Sequence, residues 1–91
     1  MWVGEFFLQK DFPIKTMTCR QLGGACDHAF HADTFDEMAA QSQSHARAMY
    51  AAHDADHLTA MEAMSVVMAN PSAMIAWMDD KKQLFDSLPH A

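Results

Sequence analysis

Two cysteines bracket the only Gly-Gly pair of the chain, and this short segment constrains the fold more than any other. Cys19 and Cys26 are separated by six residues, and Gly23 and Gly24 lie between them. A glycine pair favours a tight reversal of the backbone, because glycine adopts turn conformations that other residues rarely reach. Such a reversal would bring the two thiols side by side, where they can form a disulfide, act as a redox pair or bind a soft metal ion.

Short strands are predicted on both sides of this turn. Residues 16–20 alternate and contain two β-branched threonines, which indicates a strand that leads into a turn over residues 21–25. Residues 26–32 form the predicted return strand. In this arrangement Cys19 and Cys26 face each other across a β-hairpin.

Three helices follow the hairpin, and each begins after a side chain that typically caps a helix N-terminus. The first runs to about residue 52, the second covers about residues 55–69, and the third begins near residue 71 and ends at a proline. The short connections imply antiparallel neighbours. The sequence therefore predicts an α+β fold in which a short N-terminal β-hairpin packs on a three-helix bundle. The predicted caps are Thr34, Asp54 and Asn70, and the proline is Pro89.

Length and charge limit the possible functions. The 91 residues allow one domain, and we divide the chain into an N-terminal extension, 1–15, and a single small domain, 16–91. The net charge of −6 argues against binding to nucleic acid or to an anionic membrane surface, since both need clustered lysine and arginine. No apolar run approaches the roughly 20 residues that span a bilayer, and the N-terminus lacks the basic start of a signal peptide. We therefore expect a cytoplasmic protein whose thiols stay reduced.

A histidine on the first helix can meet the two thiols. The return strand covers about 16 Å from Cys26 to His31, at 3.3 Å per residue. The first helix covers a similar distance, about 16 Å, from Thr34 to His45 at 1.5 Å per residue. An antiparallel helix would therefore bring His45 back to the level of the thiols, and two thiolates with an imidazole are donors that zinc prefers. Iron, nickel and copper bind the same donor types.

The fourth ligand of such a zinc site is left open by the sequence. His28 shares the predicted strand face with Cys26, and His57 begins the inner stripe of the second helix. His53, Asp27 and a water molecule are further candidates for the fourth position. The predicted metal ligands are Cys19, Cys26, His45, His28 and His57.

Other functions compete with a non-enzymatic zinc site. Methionine-rich surfaces adapt to binding partners, so the chain could be a metal-free helical module that binds a protein or a second copy through its methionines or its apolar N-terminal arm. A thiol redox pair is a third possibility. We expect no enzymatic activity, because no acid-base carboxylate pair, phosphate-binding glycine loop or Ser-His-Asp set is recognisable. Five methionines fall at helix-packing positions and are assigned to the core: Met61, Met64, Met68, Met74 and Met78.

Two segments of the chain resemble a known family. Residues 17–27, Met-Thr-Cys-Arg-Gln-Leu-Gly-Gly-Ala-Cys-Asp, and residues 30–38, Phe-His-Ala-Asp-Thr-Phe-Asp-Glu-Met, resemble the short bacterial proteins catalogued as predicted small metal-binding proteins. The similarity covers about residues 16–88, and the cysteine-turn-cysteine-Asp segment is its most specific part.

This resemblance implies a metal-ligand role for Cys19, Cys26 and His45. Members of that family typically begin near the position of Met17, so residues 1–15 depart from the family pattern. Shorter relatives have a second histidine five residues after the first, where this chain has Tyr50. The resemblance implies neither a reaction nor a macromolecular partner.

Overall fold

The computed structural model describes residues 14–90, and the predicted order of two strands and three helices is confirmed. Strands β1 and β2 pair in an antiparallel hairpin, and helices α1, α2 and α3 follow. Residues 1–13 of the predicted extension lie outside the described residues. Within residues 14–90, no helix has the length and apolar character needed to span a membrane. The elements are β1 Lys15–Thr18, β2 Ala29–Ala32, α1 Phe35–Ala51, α2 Ala55–Met68 and α3 Pro71–Ser87.

Both strands of the hairpin are shorter than predicted, because strand pairing stops at Thr18 and Ala29. Residues 26–28 lie in the loop that leads into β2. The prediction that Cys26 and His28 share a strand face is therefore wrong.

The turn between the strands is built around the backbone of Cys19. Its carbonyl oxygen accepts the N–H groups of Leu22 and Gly24, at 3.0 and 2.8 Å. Gly23 ends a 3₁₀ turn of residues 20–22 with a φ of 92°, a left-handed conformation that strains residues with a side chain. The turn leaves Cys19 only 4% exposed.

The three predicted helix caps are confirmed. In each case the side-chain oxygen of the capping residue accepts the backbone N–H three residues later, at 3.1 Å. These hydrogen bonds satisfy donors that the first turn of a helix otherwise leaves without a partner. The capping side chains are those of Thr34, Asp54 and Asn70.

The apolar core lies between the hairpin, the start of α1 and the end of α3. Met17 and Met38 are fully buried, and Phe85 is nearly so. The ammonium group of Lys15 donates to the backbone carbonyl of Phe85 at 2.8 Å, which ties β1 to the end of α3. This packing holds the hairpin against α1 and so determines where the cysteine turn lies.

The methionines of α2 and α3 are less buried than predicted. Met68, Met74 and Met78 are 38%, 37% and 41% exposed, so their assignment to the core is wrong. Met61 and Met64 are half-buried and line an apolar cleft of about 240 Å³ between the helices and the glycine turn. Helical spacing identifies one face of a helix, but a core position also needs a second element that covers that face.

Candidate metal centre

Two thiols and two imidazoles converge between the cysteine turn, α1 and α2. Cys19, Cys26, His45 and His57 each offer one ligand atom, and these four atoms lie within 4.8 Å of one another. The Sγ of Cys19 is 3.5 Å from Nε2 of His57, and the Sγ of Cys26 is 3.3 Å from Nε2 of His45. A tetrahedral zinc ion with bonds of about 2.0–2.3 Å has ligand atoms about 3.3–3.8 Å apart. The group is therefore close enough, and of the right donor types, to hold a metal ion.

The other candidates for the fourth ligand lie outside this group of four. His28 stacks on His45, with 4.7 Å between ring centroids and 8° between ring planes. His53 lies in the loop between α1 and α2, where its φ is 57°. The carboxylate of Asp27 accepts from the guanidinium of Arg20 at 3.1 Å. Of the histidines considered for the fourth position, the structure brings His57 to the two thiols.

Gly24 makes room for the sulfur of Cys19. A Cβ at position 24 would overlap that Sγ, and it would also lie 3.1 Å from the carbonyl oxygen of Cys19. Burial raises the pKa of the Cys19 thiol, while the backbone N–H groups of Cys26 and Ala25 oppose this by stabilising the thiolate. The glycine therefore permits a buried sulfur that approaches the backbone of the turn closely.

Cys26 is the more acidic of the two thiols. A backbone N–H from His28 lowers the pKa of Cys26, and the imidazole of His57 contributes in the same direction. Burial, which would raise this pKa, is weaker here than at Cys19 because Cys26 is only half-buried. A bound cation would favour the thiolate form of both cysteines, which is the form that binds metals.

The surroundings of His45 favour the neutral form of its imidazole. Burial lowers the pKa of His45, and the neighbouring imidazoles of His28 and His57 lower it further. Its ring stacks on that of His28 and meets the ring of Phe30 at 69°, with 5.6 Å between the centroids of His45 and Phe30. A neutral imidazole keeps a lone pair for a metal ion, so this environment suits a ligand.

Asp54 orients His57 as well as capping α2. One carboxylate oxygen of Asp54 accepts both the backbone N–H of His57, at 3.1 Å, and its Nδ1–H, at 2.6 Å. This hydrogen bond raises the pKa of His57 and lowers that of Asp54. It also leaves Nε2 to face the thiols, as in the carboxylate-histidine-zinc arrangement of many metal sites. Sequence analysis identified Asp54 only as a cap; its spacing of three residues before a candidate histidine was the signal for this second role.

Replacing Asp54 with asparagine should lower the affinity for zinc by about 10–100-fold, the usual loss when a metal-binding histidine loses its outer partner. Asparagine is as good a helix cap as aspartate, so helix content measured by circular dichroism should be retained. Competition with a chromophoric chelator measures the affinity. Asp56→Asn removes the same charge from the exposed side of the same helical turn and should bind zinc like the wild type. Equal affinities for the two variants would show that Asp54 acts only as a cap.

No protein-family model, curated protein or solved structure matches this chain. The functional interpretation therefore depends on the donor atoms and their surroundings. Those donors come from three separate parts of the fold, which makes their convergence informative in itself.

Proposed function

We propose that the protein is a small non-enzymatic zinc-binding protein whose ion is held by Cys19, Cys26, His45 and His57. The observation that carries this proposal is the approach of two sulfur and two imidazole nitrogen donors to within 4.8 Å of one another. A Cys₂His₂ set of donors is typical of structural zinc. Iron, nickel and copper accept the same donors, and metal analysis of the protein distinguishes them from zinc.

Four protein ligands support a binding role rather than catalysis. Catalytic zinc sites typically keep one coordination position open for water or substrate, whereas structural sites use all four for protein side chains. In this site the ion would join the cysteine turn to α1 through His45 and to α2 through His57. The expected role is therefore to hold these elements together around the ion.

The resemblance to small bacterial metal-binding proteins supports the same proposal, and we propose that the chain is related to them. Tyr50, at the position where shorter relatives have a histidine, is 64% exposed. In this chain the proposed fourth ligand is instead His57, which lies on the next helix. The site needs reduced thiols, and we propose a cytoplasmic location because thiols stay reduced there.

Metal analysis and thermal unfolding together test this proposal. Protein purified without an affinity tag should contain one zinc ion per chain, as measured by elemental analysis and native mass spectrometry. A chelator should remove the ion and lower Tm, and added zinc should restore it. Magnesium is the control, because it prefers oxygen ligands and should restore nothing. A metal-free protein whose Tm is indifferent to chelator and to zinc would contradict the proposal.

Exposed apolar side chains favour a second candidate, a metal-free interaction or oligomerisation module. Val66 on α2 and Ile75 on α3 are 72% and 66% exposed, and three exposed methionines belong to the same two helices. Methionine-rich surfaces of this kind suit adaptable contacts with a partner or a second copy. The same native mass spectrum separates the candidates: a dimer that carries no metal favours the module, and a zinc-loaded monomer favours the first proposal.

A further inference from the structure

We propose that the imidazole of His28 is the exchange ligand of the metal centre, through which the ion enters and leaves. This inference rests on the proposed zinc site and deepens it, because it assigns one side of that site to metal transfer. An ion with a structural role alone would need no ligand dedicated to its exchange. The observations below concern how the four donors are buried and what lies beside them.

The four donors are unequally exposed. Cys19 and His57 are 4% and 5% exposed, so an ion between them would face the protein interior on that side. Cys26 and His45 are only half-buried. The ion would therefore be reached from solvent past Cys26 and His45, and an exchange ligand should lie on that side.

His28 occupies this outer side. Its carbonyl oxygen accepts the N–H of Cys19 at 2.8 Å, and its own N–H stabilises the Cys26 thiolate, so its backbone is held next to both cysteines. The side chain is exposed, and its ring lies parallel to that of His45 with 4.7 Å between centroids. The imidazole therefore lies beside a proposed ligand and is reached from solvent. It also contacts the ring of Phe30, with 5.1 Å between centroids, so it must turn about its side-chain torsions to reach the ion.

A groove of about 360 Å³ opens beside these two imidazoles. Besides His28 and His45, its walls include the ring of Phe30 and the polar side chains of Gln41 and Ser44. It gives an incoming donor room to approach without unfolding the core. The expected acceptor is a molecule that offers nitrogen or sulfur donors, since these match the ligands that the ion leaves.

The exchange step conserves electrons and changes only coordination bonds. A bond forms between the ion and a ring nitrogen of His28, and the bond to Nε2 of His45 breaks. Zinc can pass through five-coordination, so the incoming imidazole binds before the outgoing one leaves. The two thiolates and His57 hold the ion until a donor in the groove takes it from His28.

Two substitutions at position 28 separate ligand exchange from ring packing. His28→Phe keeps an aromatic ring against His45 and removes the nitrogens, whereas His28→Ala removes both. Rapid-mixing measurements follow zinc transfer from the loaded protein to a chromophoric chelator, and equilibrium competition gives the affinity. We expect both variants to transfer zinc about tenfold more slowly, which corresponds to a barrier higher by about 1.4 kcal/mol, with the affinity of His28→Phe unchanged. His31→Phe alters another exposed histidine of the hairpin and should transfer zinc at the wild-type rate.

Other results would overturn this assignment. Wild-type transfer from His28→Phe together with faster loss from His28→Ala would show that the ring only packs against His45. Equal rates for the wild type and both variants would show that the ion leaves by another path. A wild-type protein that binds no zinc would contradict the proposed function itself, before the question of exchange arises.

Discussion

Replacing Cys19 with serine should abolish zinc binding and lower the free energy of unfolding by at least about 4–5 kcal/mol, as expected when a structural metal is lost. A serine hydroxyl stays protonated at neutral pH and does not replace a thiolate ligand. Structural zinc contributes an apparent 10–16 kcal/mol or so in small domains, about as much as the whole net stability of an ordinary domain. For a chain of this size the loss corresponds to a fall in Tm of at least about 16 °C. Thermal unfolding followed by circular dichroism measures this shift.

Cys26→Ser is the matched control for packing. Cys19 is buried in the core, whereas Cys26 is half-buried, so a loss of packing should affect the first variant far more than the second. A shared metal predicts similar losses for both. In excess chelator, the wild type and the two variants should melt close together, since the metal contribution is then absent from all three. A large effect of Cys19→Ser that persists in chelator would assign the loss to the core and contradict the zinc interpretation.

The helices could be predicted because their start signals are local. Each cap is a single side chain that bonds to a backbone group three residues later, so Thr34, Asp54 and Asn70 could be identified without knowledge of the tertiary structure. The hairpin depends on less local information. Its strands end early because the carbonyl of Cys19 accepts two N–H groups within the turn, and the sequence pattern does not show which glycine adopts the left-handed conformation.

The site could be predicted in part from distances along the chain. The lengths of the return strand and the first helix place His45 level with the cysteines, and its Nε2 is 3.3 Å from the Sγ of Cys26. The position of His57 depends instead on how α2 crosses α1. That crossing follows from the loop between them, in which His53 has a left-handed φ of 57°. Such a conformation is uncommon for a residue other than glycine, so spacing alone could not rank His57 above His28.

The methionines show a different limit of pattern analysis. Their spacing correctly identifies one face of α2, where Met61 and Met64 line the apolar cleft. Whether such a face is buried depends on the elements that pack over it. The exposure of Met68, Met74 and Met78 shows that cover is incomplete near the connection between α2 and α3, within the part of the chain that the structure describes.

Replacing Gly24 with alanine should weaken zinc binding by at least about 100-fold, the upper end of losses caused by groups around a metal site. The added methyl group would overlap the sulfur of Cys19, so this side chain must rotate away from its position 3.5 Å from Nε2 of His57. A sulfur that moves to relieve this overlap loses its place beside Nε2 of His57, where the other buried donor of the site lies. Competition with a chromophoric chelator gives the affinity, and circular dichroism reports whether the helices are retained.

Gly23→Ala separates damage to the turn from damage to the metal site. A left-handed residue with a side chain costs about 1–2 kcal/mol, so this variant should also melt at a lower temperature. Its Cβ, however, would meet the end of Met64 at 2.5 Å and the ring of Trp77 at 3.2 Å, and not the sulfur of Cys19. The flexible methionine can move aside, so one zinc ion per chain should still bind. Wild-type affinity in Gly24→Ala would show that the Cys19 sulfur can be displaced without weakening zinc binding. That result would contradict the assignment of Cys19 as a zinc ligand.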